Sequence, residues 1–211
     1  IPAFLIHNGE MVDARSILKR SIAYVEQEIL ELLSTHTVPG MEHVNVKEID
    51  ELLFTTATEL EFWVKTPSQP IDSRALSVSQ RMKEQYWQRT HGAVRTAMEE
   101  SIELLKKLGL QPEMGHKEVG GVKPRIDDNG RLINILEQLE IDWKFSSNPL
   151  QTADNELEAR IIVRETFRKH GLEVTFKAKP IHGVAGSGKH THIGLSAKMK
   201  SGKVINLFAP K

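Results

Sequence analysis

Four short segments of the sequence each place two polar, metal-competent side chains two positions apart, in surroundings that favour β-strand. Side chains alternate between the two faces of a strand, so both members of a pair point the same way. Two neighbouring carboxylates repel each other, and a bound divalent cation removes that penalty. Oxygen ligands with an imidazole suit Mg²⁺ or Mn²⁺, so the segments together predict a multi-metal site built on a sheet. The pairs are Glu59 and Glu61, His116 and Glu118, Gln138 and Glu140, and His190 and His192.

Simpler interpretations of the same residues stay open at this stage. Glu59 and Glu61 could form the solvated face of an edge strand, and His116 could be a satisfied surface histidine. Gln138 could be purely structural, and His190 with His192 could simply face solvent. The metal hypothesis rests on the conjunction of the four segments rather than on any one of them.

Composition excludes several classes of function. Lys plus Arg and Asp plus Glu are both 28 in 211 residues, so net charge does not favour nucleic acid or an acidic membrane as partner. The chain contains no cysteine, which excludes disulfides, zinc thiolate sites and thiol catalysis. No apolar run approaches the ~18–20 residues of a membrane span, and no signal peptide is visible. We therefore expect a cytoplasmic protein.

The hydrophobic pattern predicts interspersed strands and helices. Asn8-Gly9 indicates a turn, and Asp13 is a candidate N-cap for the helix that follows. Helical spacing predicts further helices over 78–108, before Gly109, and over 152–172. Because the segments after residue 110 favour hairpins, we expect an α+β fold with a mainly antiparallel sheet and flanking helices. Strand-rich stretches lie at 43–64, 114–145 (two strands around a turn at 127–130) and 173–210.

The segment from Gly183 to Lys189 matches most of the phosphate-loop pattern G-x-x-x-x-G-K-[ST]. His190 stands where that pattern needs a hydroxyl for Mg²⁺. A phosphate loop must also open a helix, whereas the residues HTHIGLSAKM alternate as a strand does. The sequence therefore predicts a strand after Lys189 and argues against a P-loop NTPase.

Read together, the same segments resemble the glutamine synthetase family in order and approximate spacing. The resemblance covers most of the chain, and its most specific part is the Gly-rich loop that ends in two histidines. It implies a curved, mainly antiparallel catalytic fold of the glutamine synthetase/guanido kinase type. The matching segments are VTFKAKPIHGVAGSGKHTHIGLS, TELEFW, HKEVGG, QLEIDWKF and ADNELEARIIVRE, and IPAFLIHNGEMVDARSILKRSI looks like the domain start in the larger, type III-like members.

The resemblance also implies roles for the candidate metal ligands. Glu61, Glu118 and Glu140 would hold the metal that orders the attack of ammonia on activated glutamate. Glu59 and His190 would help to hold the metal that bridges the nucleotide phosphates. Since joining ammonia to a carboxylate is uphill, ATP must first phosphorylate the carboxylate, and cations must clamp the phosphoryl oxygens.

Further residues carry implied substrate contacts. His192 would lie near the phosphates, Phe145 beside the nucleotide, and Gly186 in the loop that approaches glutamate. The family usually has Asp-Asn or a similar pair where this chain has Val184-Ala185, which leaves another amine or acid open as the substrate. A segment at 121–136 also separates two elements that are close together in ordinary members.

The expected activity is ATP- and metal-dependent ligation of ammonia to glutamate through a γ-glutamyl phosphate, with Mg²⁺ or Mn²⁺ bound. We expect homo-oligomeric rings, small-molecule substrates, and no nucleic-acid or membrane partner. Residues 1–211 would be the N-terminal portion of a catalytic domain whose arginine-rich C-terminal part is absent, so we assign no catalytic residue within this chain. The alternatives are a γ-glutamyl ligase for another substrate, and a non-catalytic ring subunit of the same fold.

Overall fold

A computed structural model describes residues 4–66, 92–118, 125–126, 132–180 and 186–209. Within them the chain forms three α-helices and nine β-strands, which confirms the α+β prediction. The helices are α1 (Ala14–Thr35), α2 (Gly92–Lys107) and α3 (Pro149–Lys169). The strands are β1 (Ile6–His7), β2 (Glu10–Met11), β3 (Ile49–Thr66), β4 (Pro112–Lys117), β5 (Arg125–Ile126), β6 (Leu132–Trp143), β7 (Glu173–Thr175), β8 (Lys189–Met199) and β9 (Val204–Asn206).

The strands form a small hairpin and one larger open sheet. Strands β1 and β2 pair with each other, and the main path of the larger sheet runs β4-β6-β3-β8-β9. Strand β5 pairs with β6, and β7 pairs with β3. The strand pairs β3–β6, β3–β7, β4–β6, β5–β6 and β8–β9 are all antiparallel, as predicted.

Local sequence signals account for the first hairpin and the start of α1. Asn8 and Gly9 adopt φ of 49° and 82°, the left-handed conformations that a two-residue hairpin turn requires. Asp13 then caps α1, because its Oδ1 accepts the backbone N–H of Ser16 at 2.9 Å. Both predictions are confirmed.

The chain divides into two compact units, and β3, α3 and β8 contribute residues to both. The first unit comprises residues 1–56, 146–152 and 192–211. Its core is a cluster of apolar side chains from β3, β8 and the segment after β9, with Ile29 of α1 packed against it. The buried members of that core are Leu52, Leu195, Ala197, Met199 and Leu207.

The second unit comprises residues 57–145 and 153–191, and its core lies on one face of β3 and β6. Phe62 of β3 meets Phe167 of α3 edge to face, with ring centroids 5.5 Å apart. Because alternate residues of these strands enter this core, the intervening residues face the other way and are free to carry polar chemistry. The buried apolar residues include Leu60, Phe62, Val64, Val94, Ala97, Leu105, Leu139, Ile141, Val163 and Phe167.

One predicted helix and one predicted pair of strands extend over residues that the structure does not describe. The helix predicted over 78–108 is described from Gly92 onward, and residues 78–91 lie outside the described residues. The described residues of the stretch 114–145 belong to three strands rather than two, since β4 and β5 each pair with a different part of β6. The predicted turn at 127–130 also lies outside the described residues. Among the helices that the structure describes, none is long and apolar enough to cross a membrane.

Candidate functional site

The polar faces of β3, β4 and β6 bring acidic residues and a histidine side by side in the second unit. In the β3–β6 register, Glu59 lies opposite Asp142 and Glu61 lies opposite Glu140. In the β4–β6 register, His116 also lies opposite Glu140. Side chains directly opposite each other in antiparallel strands are close neighbours, so this register assembles one continuous polar surface.

His190, at the start of β8, joins this surface through its imidazole. Its Nδ1 lies 2.9 Å from Glu59 Oε2 and 3.9 Å from Glu61 Oε1. The hydrogen bond with Glu59, aided by the charge of Glu61, raises the pKa of His190 against the opposing effect of burial. The protonated ring is therefore attracted to both carboxylates and offsets their mutual repulsion in the metal-free protein.

The Gly-rich loop holds Glu61 from its other side. Gly188 donates its backbone N–H to Glu61 Oε2 at 2.8 Å, and Glu61 donates its own backbone N–H to the Gly188 carbonyl at 3.1 Å. A Cβ at Gly188 would lie 2.7 Å from Glu61 Oε1 and 2.9 Å from His190 Nε2. This position must be glycine for the carboxylate and the imidazole to approach the loop as they do.

Gln138 connects the carboxylate to the same loop. Its Nε2 donates to Glu61 Oε2 at 2.6 Å and to the Gly186 carbonyl at 2.7 Å, and the side chain is buried. Both amide hydrogens are therefore used, one on the strand and one on the loop. Gln138 has a structural role, in line with the simpler interpretation, because it links the Glu61 carboxylate to the Gly-rich loop within the site.

His116 is almost fully buried between carboxylates, with 8% of its side chain exposed. Its Nε2 lies 3.0 Å from Asp142 Oδ2 and 3.2 Å from Glu140 Oε2. Burial alone would lower the pKa of His116, but hydrogen bonds with Asp142 and Glu140 outweigh it and raise the pKa to about 10. The interpretation of His116 as a surface histidine is wrong.

Glu118 and Glu140 complete the acidic part of the surface. Glu118 Oε2 lies 3.9 Å from His116 Nδ1, and the Glu118 backbone N–H donates to the Gln138 carbonyl at 2.8 Å. Burial raises the pKa of Glu140, but hydrogen bonds with His116 and Glu118 prevail and lower it. Glu140 is therefore held as a carboxylate, the form that ligates a metal.

These residues fit a divalent cation by their chemistry. Two groups of three, which share Glu140, bring their ligand atoms within 4.8 Å of one another. Carboxylate oxygens with one imidazole nitrogen match the preferences of Mg²⁺ and Mn²⁺ better than those of softer metals. The groups are Glu59, Glu140 and His190, and His116, Glu140 and Asp142.

Comparison with known proteins decides the family. Residues 11–209 match the family model of the glutamine synthetase catalytic domain. The chain belongs to this family. Glutamine synthetases of Pyrococcus abyssi and Thermus thermophilus are 38% identical over 96 residues and 34% identical over 99 residues. Those alignments cover 46% and 47% of this chain but only 18% and 19% of the two relatives.

Solved structures agree on the fold. A GmaS/ADP complex aligns with 99% of this chain at a TM-score of 0.57 and 21% identity. The glutamine synthetase of Plasmodium falciparum aligns with 98% at a TM-score of 0.56 and 17% identity. This chain spans 39% and 40% of those two structures. The glutamine synthetase catalytic fold expected from the sequence is thus confirmed, over part of the length of its relatives.

Against this family background, the five predicted metal ligands fall in one unit. Strand β3 carries Glu59 and Glu61, β6 carries Glu140, β8 carries His190, and Glu118 lies one residue beyond β4. Strand β3 lies between β6 and β8 in the sheet, so the interpretation of Glu59 and Glu61 as an edge strand is wrong. That the five bind metal remains a prediction.

The residues predicted to contact the nucleotide and substrate are divided between the two units. Phe145 belongs to the second unit and is 74% exposed, whereas His192 belongs to the first unit. Gly186 presents its carbonyl to Gln138, and a Cβ there would collide with the carbonyl oxygen of Ala178. Val184 and Ala185, where the chain departs from the usual glutamine synthetase loop, lie outside the described residues. The roles of all these residues remain predictions.

Two residues of the site escaped sequence reasoning. Asp142 lies two positions after Glu140 and continues the alternation of Gln138 and Glu140. This spacing is the sequence signal that identifies it. Gly188 was visible only as one glycine among several in the loop. Its contact with Glu61 depends on a strand 127 residues away, which no local pattern encodes.

Proposed function

We propose that this chain carries the metal-binding part of an ATP-dependent ligase that joins ammonia to the side-chain carboxylate of glutamate through a γ-glutamyl phosphate. Family membership supports ligase chemistry in general. The observation that carries the proposal is the register of Glu59, Glu61, Glu140 and His190 on one polar sheet face. We further propose Mg²⁺ or Mn²⁺ as the metal and ATP as the phosphoryl donor.

The proposed reaction transfers a phosphoryl group from one anion to another, which requires positive charge at the transferred oxygens. Divalent cations, when bound, supply that charge. Glu59, Glu61, Glu118, Glu140 and His190 would hold them. The work of the protein is to fix these ligands before the substrates arrive, because positioning and electrostatic stabilisation dominate phosphoryl transfer.

The contacts of Glu61 support this proposal. One of its oxygens accepts hydrogen bonds from both Gln138 and the Gly188 backbone, so the carboxylate cannot rotate freely. Its other oxygen lies toward His190. A carboxylate tethered in this way binds a cation with little further loss of side-chain entropy.

We propose substrate roles for three further residues. His192 would contact the nucleotide phosphates, Phe145 would lie beside the nucleotide, and Gly186 would lie where glutamate binds. We also propose that residues 1–211 form part of a catalytic domain that assembles in homo-oligomeric rings in the cytoplasm. Neither nucleic acid nor a membrane is needed as a partner.

Metal-dependent ATP turnover tests this proposal. The longest natural form of the protein is assayed for phosphate release with Mg²⁺ or Mn²⁺, ATP, glutamate and ammonia, and then with a panel of other acids and amines. We expect turnover with glutamate and ammonia that is abolished by a chelator and reduced by Glu61→Gln. Absence of turnover with every acid and amine contradicts the proposal and favours a non-catalytic ring subunit.

The departure in the substrate loop favours a second candidate. Val184-Ala185 replaces a pair that usually carries Asn in the family, and Asn can hydrogen-bond a carboxylate whereas Ala cannot. A γ-glutamyl ligase for another amine or acid would fit this change. Turnover restricted to a different substrate in the same panel identifies this candidate, and Ala185→Asn should then shift the preference toward glutamate.

A further inference from the structure

Glu156 of α3 is a buried carboxylate with no part in the proposed metal chemistry. Its side chain is 2% exposed, and Lys189 Nζ lies 3.0 Å from its Oε2. Its Oε1 accepts a hydrogen bond from Nε of Arg160, one helical turn further along α3. A buried carboxylate is costly unless it is paired on its oxygens, and here a separate cation serves each oxygen.

Lys189 is the lysine of the phosphate-loop pattern, and the structure gives it a different partner. It opens β8, which confirms the predicted strand after this residue. Its ammonium reaches the carboxylate on α3, whereas the next residue, His190, reaches Glu59 on the polar face of the sheet. Since 44% of the Lys189 side chain is exposed, its placement depends on the ion pair more than on packing.

The second cation, Arg160, contacts the aromatic residues that pack behind β3. The Arg160 guanidinium lies 5.3 Å from the centre of the Phe176 ring, and that ring lies 5.4 Å from the ring of Phe62. Phe62 follows Glu61 directly on β3 and fills the core behind it. Glu156 is thus linked to both candidate ligands. Lys189 directly precedes His190, and Arg160 reaches Phe62, the residue after Glu61, through Phe176.

We propose that Glu156 is a positioning residue, which through Lys189 holds the start of β8 so that Gly188 and His190 stay aligned with β3. The anchoring follows from these contacts alone. Its consequence for metal affinity rests on the proposed function. Loss of the ion pair would free the loop-to-strand junction and weaken both hydrogen bonds of the Gly188 backbone, one to the Glu61 carboxylate and one from the Glu61 N–H.

Amide hydrogen exchange in the metal-free protein tests the anchor without any activity. Lys189→Met and Glu156→Gln each remove the ion pair, and we expect the amides of Gly188 and Glu61 to exchange about tenfold faster in both. Lys189→Arg keeps a cation at the same place and should retain the protection. The matched control is Lys65→Met, which breaks a 3.1 Å pair whose carboxylate, on Glu173, is 70% exposed. This control should leave both amides unchanged.

Two outcomes overturn the inference. Unchanged exchange at Gly188 and Glu61 in folded Lys189→Met means that the ion pair does not hold the junction. Equal acceleration of the α2 amides means that the variant lowers global stability instead of releasing this one segment. If Glu156→Gln does not fold, the contrast between Lys189→Met and Lys189→Arg decides the question.

Metal affinity gives the functional readout. We expect Lys189→Met to weaken Mn²⁺ binding about tenfold, as is typical when a residue that supports a ligand is removed, and Lys189→Arg to restore it. Mn²⁺ affinity equal to wild type in Lys189→Met overturns the positioning role. If the wild-type chain binds no Mn²⁺, the proposed function fails, and the exchange experiment still decides whether the anchor exists.

Discussion

Gly188 and Glu61 are joined by two hydrogen bonds, although 127 residues separate them in the sequence. The Gly188 N–H donates to Glu61 Oε2 at 2.8 Å, and the Glu61 N–H donates to the Gly188 carbonyl at 3.1 Å. One bond fixes the strand against the loop, and the other fixes the carboxylate itself. The orientation of a candidate metal ligand is therefore set by the backbone of a distant loop.

Gly188→Ala should impair the site more than the fold. The added Cβ would lie 2.7 Å from Glu61 Oε1 and 2.9 Å from His190 Nε2, so these two side chains would have to move while the backbone keeps its place. We expect Mn²⁺ affinity to fall about tenfold, and the free energy of unfolding to fall by about 1 kcal/mol, the lower end of the range for an added methyl group in a packed region. Calorimetric titration and urea unfolding measure the two effects.

Ser187→Ala is the neighbouring control for that substitution. The Ser187 hydroxyl is buried and has no hydrogen-bond partner among the described residues, so its removal should change neither quantity appreciably. Wild-type metal affinity in Gly188→Ala would contradict the role given to the close approach.

Gln138→Leu should destabilise the protein as well as the site. The substitution removes both amide hydrogen bonds and leaves the Gly186 carbonyl and one Glu61 oxygen with fewer donors. Loss of a partner to a buried polar group costs about 1–3 kcal/mol, and more where the group is charged. Urea unfolding should show a decrease of at least that size in the free energy of unfolding, and Mn²⁺ should bind more weakly.

Thr152→Val provides the comparison for Gln138→Leu. It removes the buried hydrogen bond between the hydroxyls of Thr56 and Thr152, 2.9 Å apart in the first unit. We expect a loss of about 1 kcal/mol in stability with metal affinity preserved. Equal losses of Mn²⁺ affinity in the two variants would show that the effect of Gln138→Leu is indirect.

Divalent-metal binding should strengthen as pH rises. The hydrogen bond with Glu59 raises the pKa of His190 above its usual 6.5, and a protonated ring has no lone pair for a metal. Affinity should therefore increase from pH 6 upward until the raised pKa has been passed. Mn²⁺ titrations from pH 6 to 9 measure this, with His190→Asn as the variant in which most of the slope disappears. A constant affinity over this range in the wild-type protein would contradict the assignment.

Alkaline pH should destabilise the metal-free protein through His116. Its folded pKa is raised to about 10, so the stabilisation by its protonated form is complete below 6.5 and is lost as pH rises through about 10. A tenfold change in a proton-binding constant is worth about 1.4 kcal/mol, so the loss of stability should be measurable by urea unfolding at pH 6.5 and pH 10.

Asp142→Asn isolates this effect. The substitution keeps the shape of the side chain but removes the charge 3.0 Å from His116 Nε2, so the pKa should fall toward its usual value. Stability should then vary less between pH 6.5 and pH 10 than in the wild-type protein. Parallel pH profiles for the two proteins would show that another group governs alkaline unfolding.

Much of the fold was predictable because its signals are local. Asn8-Gly9 determined a hairpin turn by its backbone preferences, and Asp13 determined a helix start by its side-chain acceptor. Alternation in TELEFW and QLEIDW predicted which residues share a face. Apolar spacing did not predict burial where α2 ends: Leu108 continues the spacing, yet it is 61% exposed because the helix ends at Lys107 and Gly109, at φ 77°, turns the chain.

The sequence by itself determined the elements, the faces of the strands, and the family to which the paired ligands and the Gly-rich loop point. It did not determine register, because a shift of two residues along β6 would preserve every face and still separate Glu61 from Glu140. Only the tertiary structure placed Asp142 against His116, Gly188 against Glu61, and Lys189 against Glu156. These contacts join residues far apart in the chain, and their geometry depends on how whole strands and helices pack.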